Sequence, residues 1–579
     1  MRGLFSTTDC TDLNTILLEA SSCSEIAIDT ETNGLKWLKH KAFAISVAFG
    51  HSSYYIPNSQ YNVESISVFL SKLFSLNAKF IFLNSKFDAH MIRETYGIEV
   101  PWEKVYDIYT IASLYNSQSK HDLKSLAEEY IDKNSHQYEN EVQRYISKNG
   151  VNDYSRVPYH IMSIYGKKDA EYTLGLFPIL YPRLDPATLS WYTYERELLG
   201  IVYRLEKRGF PVDREYLSSY RSFLQQELEA VTKTIREMVG YAINPASNEQ
   251  VSELLFKNFK LPVLKKTTNQ NPSVDEESIS SLHHPIIPFL LRHSKVEKIL
   301  GTYVIPILEL SERDGKLHST YNPLGARTGR FSSEDPNFQN MPKELGVREA
   351  FIGDLTDADH SQLELRVFAH VAQEQSMIHA FKNGKDLHQS TASEMLNIPY
   401  DQVTSYQRFI GKGINFGIVF GEGHYTLSKQ LKCDYSQAIS YLTTYHERYP
   451  SIKKVIKKLG KEGERDGFIK TLFGRKIYVR GIPDYKYLNY KVQGSARDIL
   501  VIGLLAISAL QDSALVNTVH DSGVLNGFKL DLLSSLNQKM IDVSLSVPLV
   551  IDFKRGQNWG EWNPETNPKG LKKFIEGNI

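Results

Sequence analysis

The sequence predicts a multidomain α/β protein, and three observations carry that expectation. Residues 1 to about 185 alternate short strand-like runs with helical patterns, as an α/β layer does. From about Leu189 to Met238 the pattern is long, charged and helical. The remainder, about 320 to 579, mixes strands with helices, and a helical stretch from about 386 to 470 interrupts it. A chain of 579 residues exceeds what one core supports, and roughly three to five units are expected.

Composition narrows the class. The chain is 41% hydrophobic and 23% charged, ordinary for a folded protein. With 67 basic against 67 acidic side chains it lacks the basic excess that marks many nucleic-acid binders, so any such contact must come from local basic surfaces. Cys10, Cys23 and Cys433 are widely spaced and form no CxxC, which argues against a disulfide framework or zinc site and fits a reducing compartment. The N-terminus has no secretory pattern, and the longest apolar run, Ile499–Leu510, is too short to span a bilayer. A soluble intracellular protein with a buried helix at that run is expected.

Taken in order, Glu25–Asp29, Ala42–Phe49 and Lys79–Leu83 read as strands, and the stretch Pro178–Pro186 reads as a domain boundary. KKTTNQNPS at Lys265–Ser273 reads as an exposed loop tip on a helical rod. Apolar residues of Phe351–Leu355 lead to Asp359, after which HSQLELR begins a helix. Arg408–Gly421 reads as a helix. Leu515–Val519, a turn at His520–Asp521 and Gly523–Leu525 read as a hairpin. The lysines at 453, 454, 457, 458 and 461 form a basic strip that suits a solvated face and a nucleic-acid guide equally well.

Two groups of residues carry chemistry. SEIAIDTET sets Asp29 and Glu31 two apart at a strand end, so both carboxylates fall on one face. Asp88, in FLNSKFDAH, lies just beyond a second strand, and YGKKD puts Tyr165 and Asp169 on one face of a helix. Each piece alone is commonplace, and Asp107 in YDIYTIASLY suits a helix cap as well as a site. Gathered in one cleft, the four acids would hold two divalent ions, one activating a water and the other stabilising a leaving oxygen. In the second group, Asp359 and Asp521 each follow a strand. If those strands are neighbours, two Mg²⁺ ions fit roughly 4 Å apart between them. Between the two acids, Arg408, Lys412, Phe416 and Phe420 recur every fourth residue and share one helical stripe of cations for phosphates and aromatics for sugar and base. An amphipathic helix with snorkelling cations is the plainer reading, and it leaves NFG beside the lysine unexplained.

TDADHSQLELR, RFIGKGINFGIVFG and NTVHDS closely resemble motifs A, B and C of family A DNA polymerases. The N-terminal acids, in order, resemble the tyrosine branch of the DEDD exonucleases, the proofreading domain of that family. The likeness runs from about residue 20 to 562. It implies an RNase H-like 3′-5′ exonuclease domain at 1–185 and a right-hand polymerase at 186–579, with thumb about 190–320, palm about 321–385 and 471–579, and fingers about 386–470. It implies Mg²⁺, two ions per active site with Mn²⁺ able to substitute. The ligands would be Asp29, Glu31, Asp88 and Asp169 in the exonuclease, with Tyr165 orienting the water, and Asp359 and Asp521 in the polymerase. Arg408, Lys412 and His388 would bind the triphosphate, with Gln362 beside them. Phe416 would stack on the sugar, and Phe rather than Tyr there implies discrimination against dideoxynucleotides. Glu364 would be the steric gate against a ribose 2′-OH.

Arg330, Asn337, Gln339 and Asn340 in GARTGRFSSEDPNFQNMP, Asn489 and Gln493 in NYKVQGSARD, and His520 would contact DNA, chiefly in the minor groove, whose shared acceptors report pair shape without sequence. Turn formation or capping is the plainer role for such polar residues. Primer–template DNA and dNTPs are the expected partners of a monomeric chain. Replisome partners such as a helicase or single-strand binding protein cannot be read from sequence.

The family pattern breaks at three places. His360 replaces the usual Tyr of motif A, Ser522 the usual Glu after the motif C aspartate, and Phe420 the usual second Tyr of motif B. Ser522 removes an accessory carboxylate. Phe420 lacks the hydroxyl that can bond the gate glutamate in the family, so weaker ribonucleotide exclusion is expected. The metal-binding acids begin at Asp29, so no 5′-nuclease domain is expected ahead of them. A single-subunit RNA polymerase shares the Asp, cationic-helix and His-Asp plan, but Glu364 and the fused exonuclease argue against it. A non-catalytic replication scaffold sits poorly with a full set of ligands. A 3′ exonuclease with an inactive polymerase body is a further alternative.

Overall fold

A computed structural model of the chain describes residues 6–7, 12–343 and 345–574. Cys10 lies outside the described residues, and Cys23 and Cys433 are free thiols. The first domain is built on a six-stranded sheet of β1 (Ser6–Thr7), β2 (Glu25–Thr32), β3 (Ala42–Phe49), β4 (Ser52–Pro57), β5 (Lys79–Phe82) and β6 (Val105–Asp107), in the order β1-β4-β3-β2-β5-β6. Its central strands are apolar along most of their length because helices cover the sheet. Four of those helices matter for the site: α1 (Ser85–Tyr96), α2 (Ile108–Tyr115), α3 (Leu123–Tyr130) and α4 (Tyr159–Leu180).

The chain turns within the boundary stretch expected at 178–186, and the long helical pattern after it divides in two. Pro178 lies inside α4, near its end, where the backbone hydrogen bond it removes is one of few still to be made. The chain turns only at 181–185, and the Asp185 side chain then accepts from Thr188 N to cap α5 (Pro186–Arg208). The long helical pattern at 189–238 is two helices, α5 and α6 (Arg214–Val239). Gly209 ends the first at φ 65°, against the His318 ring, and Phe210–Pro211 pairs with Lys316–Leu317 before α6 begins. Helix α7 (Ile287–Lys298) packs on α6, and the loop between them carries the exposed tip at 265–273, closed by a bridge between Lys266 and Pro272.

The last part of the chain is organised on a second, antiparallel sheet. Its strands are β7 (Ile352–His360), β8 (Leu515–Val519), β9 (Ser522–Asn526), β10 (Ile551–Asn558) and β11 (Lys572–Lys573), in the order β8-β9-β7-β10-β11. Strand β7 is central, and 162 residues separate Asp359 on it from Asp521 in the β8–β9 turn. Helices α8 (Leu363–Ala372), α9 (Leu387–Leu396), α10 (Ser405–Phe420) and α11 (Pro450–Asp466) lie in that interval. The five lysines of the basic strip lie exposed on α11. Helix α12 (Tyr487–Gln511) then packs behind the sheet, followed by α13 (Leu533–Ile541). The stretch Asp484–Ala514 is apolar enough by composition to cross a membrane, but 78% of its apolar window is buried inside the protein, as a core helix requires.

Buried charge joins these parts. Arg497 on α12 forms a two-pronged pair with Glu195 on α5, with Nη2 at 2.8 Å, and also donates to Pro323 O at 3.0 Å. Trp191 Nε1 donates to Glu195 at 2.6 Å. Glu206, also on α5, accepts from Lys86 at 2.6 Å and from Tyr321 N at 2.6 Å, and pairs with His90 at 2.8 Å. One acid thus ties the first domain to the segment that leads into the second. Breaking such a pair on one side leaves an uncompensated buried ion. Glu195→Ala is therefore expected to cost about 3–5 kcal/mol in urea unfolding. A Glu195→Leu/Arg497→Met pair should recover most of that loss in the same measurement.

Candidate active sites

The first cleft has a volume of about 970 Å³ and lies between the first domain and the start of the second, with Arg313 and Asp335 on its far wall. Because β2 alternates faces, Asp29 and Glu31 project together into it. Asp169, on α4, completes a triad whose ligand oxygens all lie within 4.8 Å of one another. Tyr165 stands one turn before Asp169 on the same helix face and lines the same cleft. Asp88, in the first turn of α1, also lines it, but one of its oxygens is engaged by Thr30, through N at 3.1 Å and Oγ1 at 2.6 Å. Asp107 takes the structural role: it caps α2 through Thr110 N at 2.7 Å and accepts from Ser85 N at 2.7 Å.

Concentrating these acids shifts them all the same way. Burial raises Asp29, and the neighbouring charges of Glu31, Asp88 and Asp169 raise it further. Glu31 and Asp169 are raised by burial and pulled back by Lys124. Burial lifts Asp88 to about 7 against the Thr30 hydrogen bonds. Sequence reading missed Lys124. Its ammonium meets the Asp169 carboxylate and sits 4.5 Å from the centre of the Tyr165 ring. Glu31 Oε1 is buried with no hydrogen-bond partner among the described residues. A site that already draws in one cation and leaves a carboxylate oxygen open fits divalent metal.

In the second sheet, antiparallel pairing sets Asp359 opposite Ser522, so Asp521 in the adjoining turn is its neighbour. His360 N donates to Asp521 O at 3.2 Å and fixes the turn to β7. Gln339 clamps the turn from the other side: its Nε2 donates to Thr518 O at 2.9 Å, and its Oε1 accepts from His520 N at 3.0 Å. This holds His520 at φ 55°. Burial lifts Asp521 to about 7, with the charge of Glu364 next, then Arg330 lowering it and Asp359 raising it. Asp359 is raised mainly by burial, with Lys554 opposing. Asp357, a residue the sequence reading did not single out, is pushed to about 6 by burial and then by Asp359.

Helix α10 carries the expected stripe. Lys412 and Phe420 are exposed, Phe416 is partly buried, and the Phe416 and Phe420 rings stack at 5.7 Å. Arg408 pairs with Asp386 at 2.6 Å. His388, on α9, lies 5.6 Å from the Phe416 ring and is lowered to about 4 by burial. Asn415 of the NFG triplet is fully buried and binds Thr391, His388 and Tyr445, which locks α10 onto α9. Gly411 allows that approach, since a Cβ there would lie 2.2 Å from His388 O. Gln362, at φ 51°, turns the chain from β7 into α8 and sets Glu364 in the first turn. Glu364 is paired with Arg330.

The other expected DNA contacts are mostly occupied within the chain. Asn337 caps the turn at Asn340 N, 3.3 Å away, and Asn489 Nδ2 donates to Val419 O at 2.9 Å. Asn340 is exposed and Gln493 half-buried. His360 is buried with neither ring nitrogen partnered among the described residues, and burial lowers it to about 4.

The model of DNA polymerase family A matches residues 214–561, and a 3′-5′ exonuclease model matches residues 4–185. The chain belongs to DNA polymerase family A. It is 34% identical over 408 residues to DNA polymerase I of Caldicellulosiruptor bescii, covering 65% of this chain and 48% of that one. It is 32% identical over 396 residues to DNA polymerase I of Geobacillus stearothermophilus, covering 63% and 45%. The chain thus spans about half the length of the curated relatives it matches. Among solved structures, the polymerase domain of Pol1 from M. smegmatis, in complex with DNA primer-template and dNTP, superposes with a TM-score of 0.82 at 24% identity, covering 96% of this chain and 99% of that one. That likeness establishes the fold: a family A polymerase domain preceded by an exonuclease domain.

Family A members use divalent metal at such acids, and the raised carboxylates give the dependence a sign. A folded-state pKa near 7 at Asp88 and Asp521 means these groups keep protons that the unfolded chain has lost. Their stability term is complete below about 4 and is lost as pH rises through about 7. Divalent ions bind only the deprotonated acids, so the rise in melting temperature from MgCl₂ over EDTA should grow between pH 5 and pH 8. Calorimetry at both pH values checks this, and equal increments would contradict it.

Proposed function

We propose that this chain is a template-directed DNA polymerase that extends a primer 3′-OH with dNTPs and proofreads with a 3′-5′ exonuclease, in DNA replication. The observation that carries the reading is Asp359 at the end of β7 beside Asp521 in the adjoining β8–β9 turn, near the Glu364–Arg330 pair. The primer–template and dNTP in the M. smegmatis complex support the same partners here, with the chain acting as an intracellular monomer. The subdomains are a thumb at about 190–320, a palm at about 321–385 and 471–579, and fingers at about 386–470. Two Mg²⁺ ions per site, or Mn²⁺, would be held by Asp359 and Asp521 in the polymerase and by Asp29, Glu31, Asp88 and Asp169 in the exonuclease. Bound there, they would supply Lewis-acid activation of an oxygen nucleophile and neutralise charge on the phosphate.

The chain's own groups do the positioning. Lys412, and Arg408 once it exchanges Asp386 for phosphate, grip the triphosphate with His388 beside them, and the Phe416 face packs on the sugar. Gln339 and the His360 amide hold Asp521 where the primer end must lie. Tyr165 orients the attacking water in the exonuclease cleft, and Lys124 holds Asp169 and that tyrosine in place. Arg330, Asn337, Asn340, Asn489, Gln493 and His520 line the path of the primer–template, and several must exchange an internal partner for DNA. Asp359→Ala is expected to abolish primer extension while sparing exonuclease activity, and Asp29→Ala to do the reverse. Normal extension by Asp359→Ala would remove the assignment.

Phe420 carries no hydroxyl, and Arg330 is the group that binds the gate Glu364. An arginine that must also meet DNA holds the gate less steadily than a dedicated hydroxyl does. Phe420→Tyr is therefore expected to raise dNTP over rNTP selectivity, on the order of tenfold for one good hydrogen bond of about 1 kcal/mol or slightly more. Single-nucleotide incorporation kinetics measure it, and unchanged selectivity would retire the idea.

A further inference from the structure

Strand register places an unassigned acid beside the polymerase pair. Asp357 lies two residues before Asp359 on β7, so the two side chains leave the sheet on the same face. On one side their partners are Val524 and Ser522, and on the other Lys554 and Asp552. His360, one residue on, points to the opposite face, where α12 and α13 close over it at Gly503 and Met540.

Asp357 is only 7% exposed, yet its Oδ1 has no hydrogen-bond partner among the described residues. Ser522 Oγ donates to Val519 O at 3.2 Å. Neither nearby cation is committed to it: Arg348 spends its guanidinium on Met341 O, at 2.8 and 3.2 Å, and on the Trp559 ring, and Lys554 makes no ion pair with it among the described residues. A carboxylate recessed this far with an open oxygen is costly unless something positive completes it. Family A usually carries a glutamate where this chain has Ser522, and Ser522 lies opposite Asp359, with Asp357 two residues earlier on the same strand.

We propose that Asp357 is a positioning carboxylate of the polymerase metal site, carried on β7 in place of the acid that the family carries at 522. It rests on the polymerase reading above and deepens it. Asp357 would add negative charge beside Asp359 without entering the bond-making step, from a position diagonal to Ser522 across the β7–β9 ladder.

The test compares Asp357→Asn, Asp357→Ser and the exchanged pair Asp357→Ser/Ser522→Glu in the full chain. Asp357→Asn should raise the Mg²⁺ concentration for half-maximal extension about tenfold or more, the usual effect of removing an outer-shell partner. It should weaken Mn²⁺ binding by a similar factor in electron paramagnetic resonance titrations, run in an Asp29→Ala background so that the polymerase site dominates. The exonuclease rate of each variant with Asp29 intact reports on folding. The exchanged pair should recover most of both losses relative to Asp357→Ser. Unchanged Mg²⁺ dependence and Mn²⁺ affinity in Asp357→Asn would overturn the proposal, as would an exchanged pair no better than Asp357→Ser. Loss of exonuclease activity along with extension would mark Asp357 as structural and overturn it too. The polymerase reading stands or falls separately, on Asp359→Ala.

Discussion

Like charge gathered away from water is the constraint on which the rest of this molecule depends. Each cleft collects carboxylates that repel one another and lose hydration, and each would relax apart if the scaffold allowed it. The exonuclease acids are set on β2, α1 and α4 of one closely packed domain. The polymerase acids sit on the central strand of a sheet and in a turn fastened from two sides. The fold's task is to hold this arrangement until cations arrive.

Satisfied buried polar groups meet much of that demand. Glu206 on α5 ties the two domains, and Glu195 on the same helix ties α5 to α12, each through buried pairs. Asn415 does the equivalent for α9 and α10, bonding His388 and Thr391 across the pair and Tyr445 beyond it. These groups touch no substrate. They set the distances on which charge-driven chemistry depends.

Several groups assigned to DNA or nucleotide are already paired inside the chain: Arg408 with Asp386, Arg330 with Glu364, Asn489 with Val419 O. Such pairing keeps recessed donors satisfied when no nucleic acid is present. On the proposed function, substrate binding is an exchange of partners, and each contact would contribute less affinity than its hydrogen bonds alone suggest. The zero net charge agrees with this economy of free cations.

Periodicity and motif spacing reached the strands of both sheets, the stripe on α10, the hairpin around Asp521 and the acids of both clefts, because local rules of two and four govern them. They failed at Gly209, where one glycine divided an apparently continuous helix. They also passed over Lys124 and Asp357, since nothing local distinguishes a lysine before SLAEE, or an acid two residues ahead of a catalytic one, from a surface residue. The sequence by itself determined which residues could do the chemistry. Tertiary structure alone decided which partners they have: Gln339 on the His520–Asp521 turn, Arg330 on Glu364, Lys124 on Asp169. Partnership across tens to hundreds of residues is a matter of register and packing, and no local pattern in the chain encodes it.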